Sequence, residues 1–175
     1  MKIWKSLDYV RWFMLPLFFL FVLSVQGTIL PRICPNPILP DLFIAVSIGT
    51  GIFWGPGWGA LIGLFLGLVQ SSTGGGMLEA FMISRAVCGM LGGWLASHLF
   101  RGRIFRAVIC GGIVTVLGEV VFSVISLLHQ MNLGAKSEWV QYVGVEALYN
   151  CVCVPVIFVF LKAVSPSCLN HLISE

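Results

Sequence analysis

Long apolar runs dominate the chain, and punctuating clusters of proline, glycine and basic residues divide them into six predicted helical segments. The first covers about Tyr9 to Leu30. It is followed by PRICPNPILPD, whose four prolines predict a short extended connector and not a helix. The second and third segments run from about Leu39 to Trp54 and from Gly57 to Ser71. The fourth covers Met77 to Phe100, the fifth Ile104 to His129 and the sixth Gln141 to Ala163, with the hydrophilic piece QMNLGAKSEW between the last two. Between Leu42 and Leu78 there is no ionisable residue. As one helix that stretch would be about 55 Å long, against a hydrocarbon core of about 30 Å. It is too long for a single crossing and suits two.

Composition sharpens the class. The 175 residues are 58% hydrophobic and only 10% charged, with a mean hydropathy of +0.99. A soluble domain carries about a quarter charged residues, so this chain cannot cover its surface in water. The expectation is an all-α integral membrane protein, one polytopic domain over residues 1–175, with six spans. The N-terminal basic residues followed by WFMLPLFFLFVLSVQG have the order of a secretory signal. The apolar run is long and the small-x-small cleavage pattern is poor, so an uncleaved first span is expected.

Positive charge sets the predicted orientation. Lys2, Lys5 and Arg11 place the N-terminus in the cytoplasm, and Arg101, Arg103 and Arg106 form a second cytoplasmic loop. An even number of crossings must separate them. Six spans satisfy this and put Lys162 and the C-terminus inside as well. A re-entrant hairpin over residues 39–71 also satisfies parity and stays open. This clustering of basic residues by membrane side argues orientation, not nucleic-acid binding.

The glycines between Phe53 and Gly76 lack the lysine and carboxylate that a phosphate loop requires. Their spacing points elsewhere. Gly55, Gly59, Gly63 and Gly67 recur every four residues, and Gly89 and Gly93 repeat the interval on the fourth segment. Such faces let helix backbones approach closely in lipid, whether the partner helix belongs to this chain or another. Trp54-Gly55-Pro56-Gly57-Trp58 predicts a tight turn and SSTGGG a second one.

Charges at membrane depth are costly and are paired or functional. Helical rise places Arg85 about 12 Å and Glu119 about 15 Å from their segment ends, with Glu146 and Asn150 at about 8 and 14 Å. The expectation is an Arg85–Glu119 ion pair with Asn150 hydrogen-bonding nearby. Such a cluster either clasps three helices together or coordinates a ligand or partner. Asp8 and Asp41 lie outside or at the rim of the apolar segments. Cys88, Cys110, Cys151 and Cys153 fall in apolar spans, where cysteine acts as a small hydrophobe. Cys151-x-Cys153 lacks metal spacing, and His98, His129 and His171 sit alone near segment ends. No catalytic, cofactor or metal constellation emerges, and the expectation is a protein that is not an enzyme.

Pro40-Asp41-Leu42 opening a span, the Gly55-Pro56 turn, GALIGLFLGLVQSSTGGG and the closing ALYNCVCVPVIFVFLKAV resemble the rod shape-determining protein MreD family, and the similarity covers nearly the whole chain. One departure is Gln70-Ser71-Ser72, where that family often has an aspartate. The resemblance implies a non-catalytic scaffold in the bacterial inner membrane, acting in cell elongation and peptidoglycan synthesis. It implies MreC as partner and, through it, MreB filaments and the RodA–class B penicillin-binding protein synthase. It also implies a fold similar to the substrate-binding subunits of energy-coupling-factor vitamin transporters, which supplies an alternative function. Against that alternative, the first segment reads RWFMLPLFFLFVLSV, without the alanines such subunits use for docking.

Overall fold

The computed structural model describes residues 2–33, 39–74, 77–98, 103–129 and 136–164. Among them there is no strand. The first helix, α1 (Lys2–Ser24), continues through a π turn (Val25–Ile29) into α2 (Leu30–Ile33). Pro31 therefore lies inside helical structure, where the sequence predicted an extended connector. The reason is local: proline is tolerated in the first turn of a helix, and the preceding π turn resets the hydrogen-bond ladder. The rest of the connector, from Cys34 to Ile38, lies outside the described residues, as do Cys168 and His171.

Asp41 begins the packed bundle. Its Oδ1 accepts from the backbone N–H groups of Phe43 at 2.8 Å and Ile44 at 3.2 Å, an N-cap for α3 (Leu42–Trp54). One residue, Gly55, separates α3 from α4 (Pro56–Gly74). Its φ of +93° is a left-handed value that favours glycine, and Pro56 then opens the next helix with its φ already set. The helix runs on through Ser71, Ser72 and Thr73, absorbing part of the second predicted turn. Ser72 and Thr73 turn their hydroxyls back onto Leu68 and Val69 carbonyls. The remaining helices are α5 (Leu78–His98), α6 (Arg103–Leu128) and α7 (Lys136–Val164), the last keeping Pro155 inside it.

Contacts fix the helix directions. Gln70 meets Asp41 at one end of the α3–α4 hairpin, and Gly59 meets Gly51 at the other. Gly59, Gly63 and Gly67 face Gly89, Arg85 and Met82 in turn, so α5 runs antiparallel to α4. Arg85 to Glu119 and Cys110 to Gly92 make α6 antiparallel to α5. Glu119 beside Glu146 at the cavity, Asn150 to Thr115 and Cys151 to Gly112 do the same for α7 against α6. Gln26 of the π turn reaches the N–H of Leu42 while Phe18 of α1 stacks on Phe160, so the first helix opposes α3 and α7. The chain therefore reverses at each connection, giving an Asp41 end and a Gly55 end.

Among the described residues, four helical stretches are long and apolar enough to cross a membrane: Phe13–Arg32, Leu78–His98, Ala107–Leu128 and Val140–Ala163. The helix α3 is apolar but only 13 residues long, about 20 Å at the helical rise. It is also the centre of the bundle. Ile44, Ala45, Val46 and Ile48 are fully buried, together with Leu66, Val114, Val154 and Leu161 from the helices around it. By contrast α1 leans on the bundle chiefly through Leu15, Phe18 and Val22, while Phe13, Leu17, Leu20 and Phe21 stay exposed. A ring of exposed apolar side chains is what a lipid-facing surface presents.

Candidate functional site, a polar cluster at the Asp41 end

The site begins with backbone geometry. A Cβ at Gly63 would overlap the carbonyl of Arg85, one at Gly59 the carbonyl of Gly89, and one at Gly67 the Cα of Met82. A Cβ at Gly89 would strike Gly59, and one at Gly93 would strike Gly51 and Pro56. Five of the six glycines named from the sequence thus form one seam, backbone against backbone, between helices of the same chain. Gly55 does not belong to it: nothing lies within 4 Å of its would-be Cβ, and its role is the positive-φ break. Glycines outside the four-residue pattern also admit close neighbours. Gly51 faces Gly89, Gly111 faces the Asn150 carbonyl and Gly118 faces the Cys88 sulfur.

The seam carries Arg85 inward, where it is 3% exposed. Its Nη2 donates to Asp41 Oδ2 at 2.5 Å and its Nη1 to Glu119 Oε1 at 3.2 Å. Nη1 also donates to Ser84 Oγ at 2.8 Å, and Nε donates to Gln70 Oε1 at 2.9 Å. Gln70 completes a ring by donating Nε2 to Asp41 Oδ2 at 2.8 Å. Phe81 covers the guanidinium, with 5.3 Å from Cζ to the ring centroid. The Arg85–Glu119 pair thus forms at the predicted place, with a second carboxylate that the sequence reading left at the rim.

Asp41 and Gln70 were missed as members of the cluster. The signal for Asp41 was its cap position: a residue starting a buried short helix points its side chain into the bundle end. Gln70 stands three residues after Gly67, at the close of the seam. An aspartate there would have no proton to donate to Asp41, whereas the amide offers both a donor and an acceptor.

Asn150 departs from its expected role. It is fully buried and its Nδ2 donates to Thr115 Oγ1 at 3.1 Å, tying α7 to α6 and not to the ion pair. Thr115 spends its own proton on the Gly111 carbonyl at 2.6 Å, so its oxygen must accept, which fixes the amide orientation. Asn150 Oδ1 is then left without a donor. Glu146, one helical turn nearer the Asp41 end, is 2% exposed. Asp41, Gln70, Phe81, Arg85, Glu119, Phe122, Tyr142 and Glu146 line a cavity of about 330 Å³. Four helices and the α3 N-cap contribute to it, and Tyr142, 38% exposed, stands at its rim.

Elsewhere, Val108, Gly112, Val116, Gly144, Leu148 and Cys151 are among the residues lining an apolar groove of about 430 Å³ between α6 and α7. Gly144 has nothing within 4 Å of its would-be Cβ. Among the described residues, no group of histidine, cysteine and carboxylate side chains is arranged to hold a metal ion. His98 and His129 bond to carbonyls within their own helices. No family model, curated protein or solved structure matches the chain.

Proposed function

We propose that this chain is a scaffold subunit of the MreD type, spanning the bacterial inner membrane six times with the Gly55 end in the cytoplasm. The observation that carries the reading is a coincidence of residues. Several of the residues within the stretches that carry the resemblance also brace the bundle. Asp41 caps α3 and holds Arg85. Gly59, Gly63 and Gly67 admit α5, and Asn150 ties the closing helix to α6. Residues that serve rigidity suit a protein that works by presenting fixed surfaces, and its exposed helix faces are apolar, as a span-binding subunit requires.

In this reading the partner is MreC, docking its single span on an exposed helix face. Through MreC the protein connects MreB filaments to the RodA–class B penicillin-binding protein synthase. The test is affinity purification of the tagged protein from its native membrane in mild detergent. Recovery of MreC together with elongation enzymes supports the scaffold. Recovery of a transporter ATPase pair with a bound vitamin, and no MreC, overturns it.

A further inference from the structure

The braced half of the cluster is satisfied, but the cavity beside it is not. Three carboxylates, from Asp41, Glu119 and Glu146, face one guanidinium across its walls. When all are ionised, negative charge is in excess by two. Asp41 and Glu119 are held by Arg85. Glu146 is 2% exposed and has neither a hydrogen bond nor an ion pair among the described residues. A carboxylate so placed is costly unless it holds a proton or meets a counter-charge. The unpartnered group on the cavity wall is a carboxylate, so its complement is a donor that carries positive charge.

The walls narrow the class further. Phe81 and Phe122 pack with centroids 4.9 Å apart and planes tilted by 44°, and Tyr142 supplies a third ring at the rim. Aromatic faces attract organic cations. A bare metal ion is a poor fit, since hard cations want a shell of six or more converging oxygens and no such grouping is present among the described residues. The volume of about 330 Å³ is that of roughly ten waters at about 30 Å³ each, ample for a small amine.

We propose that this cavity is a binding site for an ammonium-bearing ligand, with Glu146 as its counter-ion and the Phe81, Phe122 and Tyr142 rings as its walls. The ammonium donates to the Glu146 carboxylate, while Arg85 keeps Asp41 and Glu119 occupied and ties α5 to the α3 cap, α4 and α6. Such a group is carried by free amines and by aminophospholipid head groups alike. The site stands apart from the scaffold reading, because it depends on the cavity alone.

The test uses the full chain in phosphatidylglycerol nanodiscs, titrated with phenethylammonium and, as the uncharged control, 2-phenylethanol. Saturable calorimetric binding of the ammonium and none of the alcohol is expected. The Glu146→Gln variant should lose at least tenfold in affinity while unfolding no earlier than wild type without probe, since it removes an uncompensated charge and preserves shape. Tyr142→Leu, at the exposed rim, should weaken binding severalfold and serves if Glu146→Gln misfolds. Adding phosphatidylethanolamine to the nanodiscs distinguishes the sources. Competition with the probe assigns the site to a lipid head group, and no competition assigns it to a free amine. Equal binding by wild type and both variants, equal binding of the alcohol, or no saturable binding at millimolar probe would overturn the proposal. In the last case Glu146 simply carries a proton. Recovery of MreC is scored separately and does not bear on these outcomes.

Discussion

Substituting Asp41 separates two contributions that one carboxylate makes. Its Oδ1 caps α3 through the N–H groups of Phe43 and Ile44, and its Oδ2 accepts from Arg85 and Gln70. The residue is 7% exposed and Arg85 3%, so solvent screens the pair weakly. Breaking a buried ion pair by removing one partner costs about 3–5 kcal/mol. Arg85 keeps Glu119 as a second counter-ion, which puts Asp41→Asn near the low end, about 3 kcal/mol. Asparagine still caps a helix, so that variant preserves α3's start. Asp41→Ala loses the cap as well, for about 1 kcal/mol more. Unfolding in mixed micelles with increasing denaturing detergent, followed by tryptophan fluorescence, reads both differences. Two variants within about 0.5 kcal/mol of wild type would refute the brace. Equal losses for Asn and Ala would retain the brace and refute the separate cap.

The same assay reads the other expected outcomes. Glu119→Gln alone should destabilise by about 2–3 kcal/mol, and much less in an Arg85→Met background. A double-mutant cycle with no coupling would dissolve that pair. Gly63→Ala must push its methyl into the Arg85 backbone, and overpacking of this kind costs about 3 kcal/mol; Gly144→Ala meets open space and should be neutral or mildly stabilising for the isolated bundle. Gly55→Ala should cost about 1–2 kcal/mol from its positive φ alone, less than Gly63→Ala, and a larger loss would show that Gly55 packs against something after all.

Helix identities were legible because apolar runs and breakers act locally. Trp54-Gly55-Pro56-Gly57-Trp58 announced a tight reversal, which the structure narrows to Gly55 alone, and the four-residue glycine interval announced a close seam. Arg85 and Glu119 could be matched because helical rise converts residue counts to depth. Reading failed where the third dimension decides. Asp41 looked peripheral along the chain, yet the short α3 is buried centrally, so its first residue lies among the other helices. Asn150 shares its depth with the ion pair but faces α6 at Thr115, and depth alone does not fix azimuth. Gly111 and Gly118 escaped notice because a single glycine facing a carbonyl or a sulfur leaves no periodic trace. Pro31 looked like a helix breaker because the π turn ahead of it has no signature in residue types.

The seam between α4 and α5 is made of main-chain atoms, so its attraction is indifferent to what the rest of α4 carries. On the opposite side of that helix, Trp58, Leu61, Leu64, Phe65 and Leu68 are exposed. Selection can therefore rewrite this outward row for a different bilayer or a different neighbour while the fold stays as it is. A library randomising Leu61, Phe65 and Leu68 among apolar residues should yield mostly folded members. The same freedom granted to Gly59, Gly63 and Gly67 should yield almost none. One helix is thus both the most constrained and among the most adaptable parts of the chain, depending on which side mutation falls.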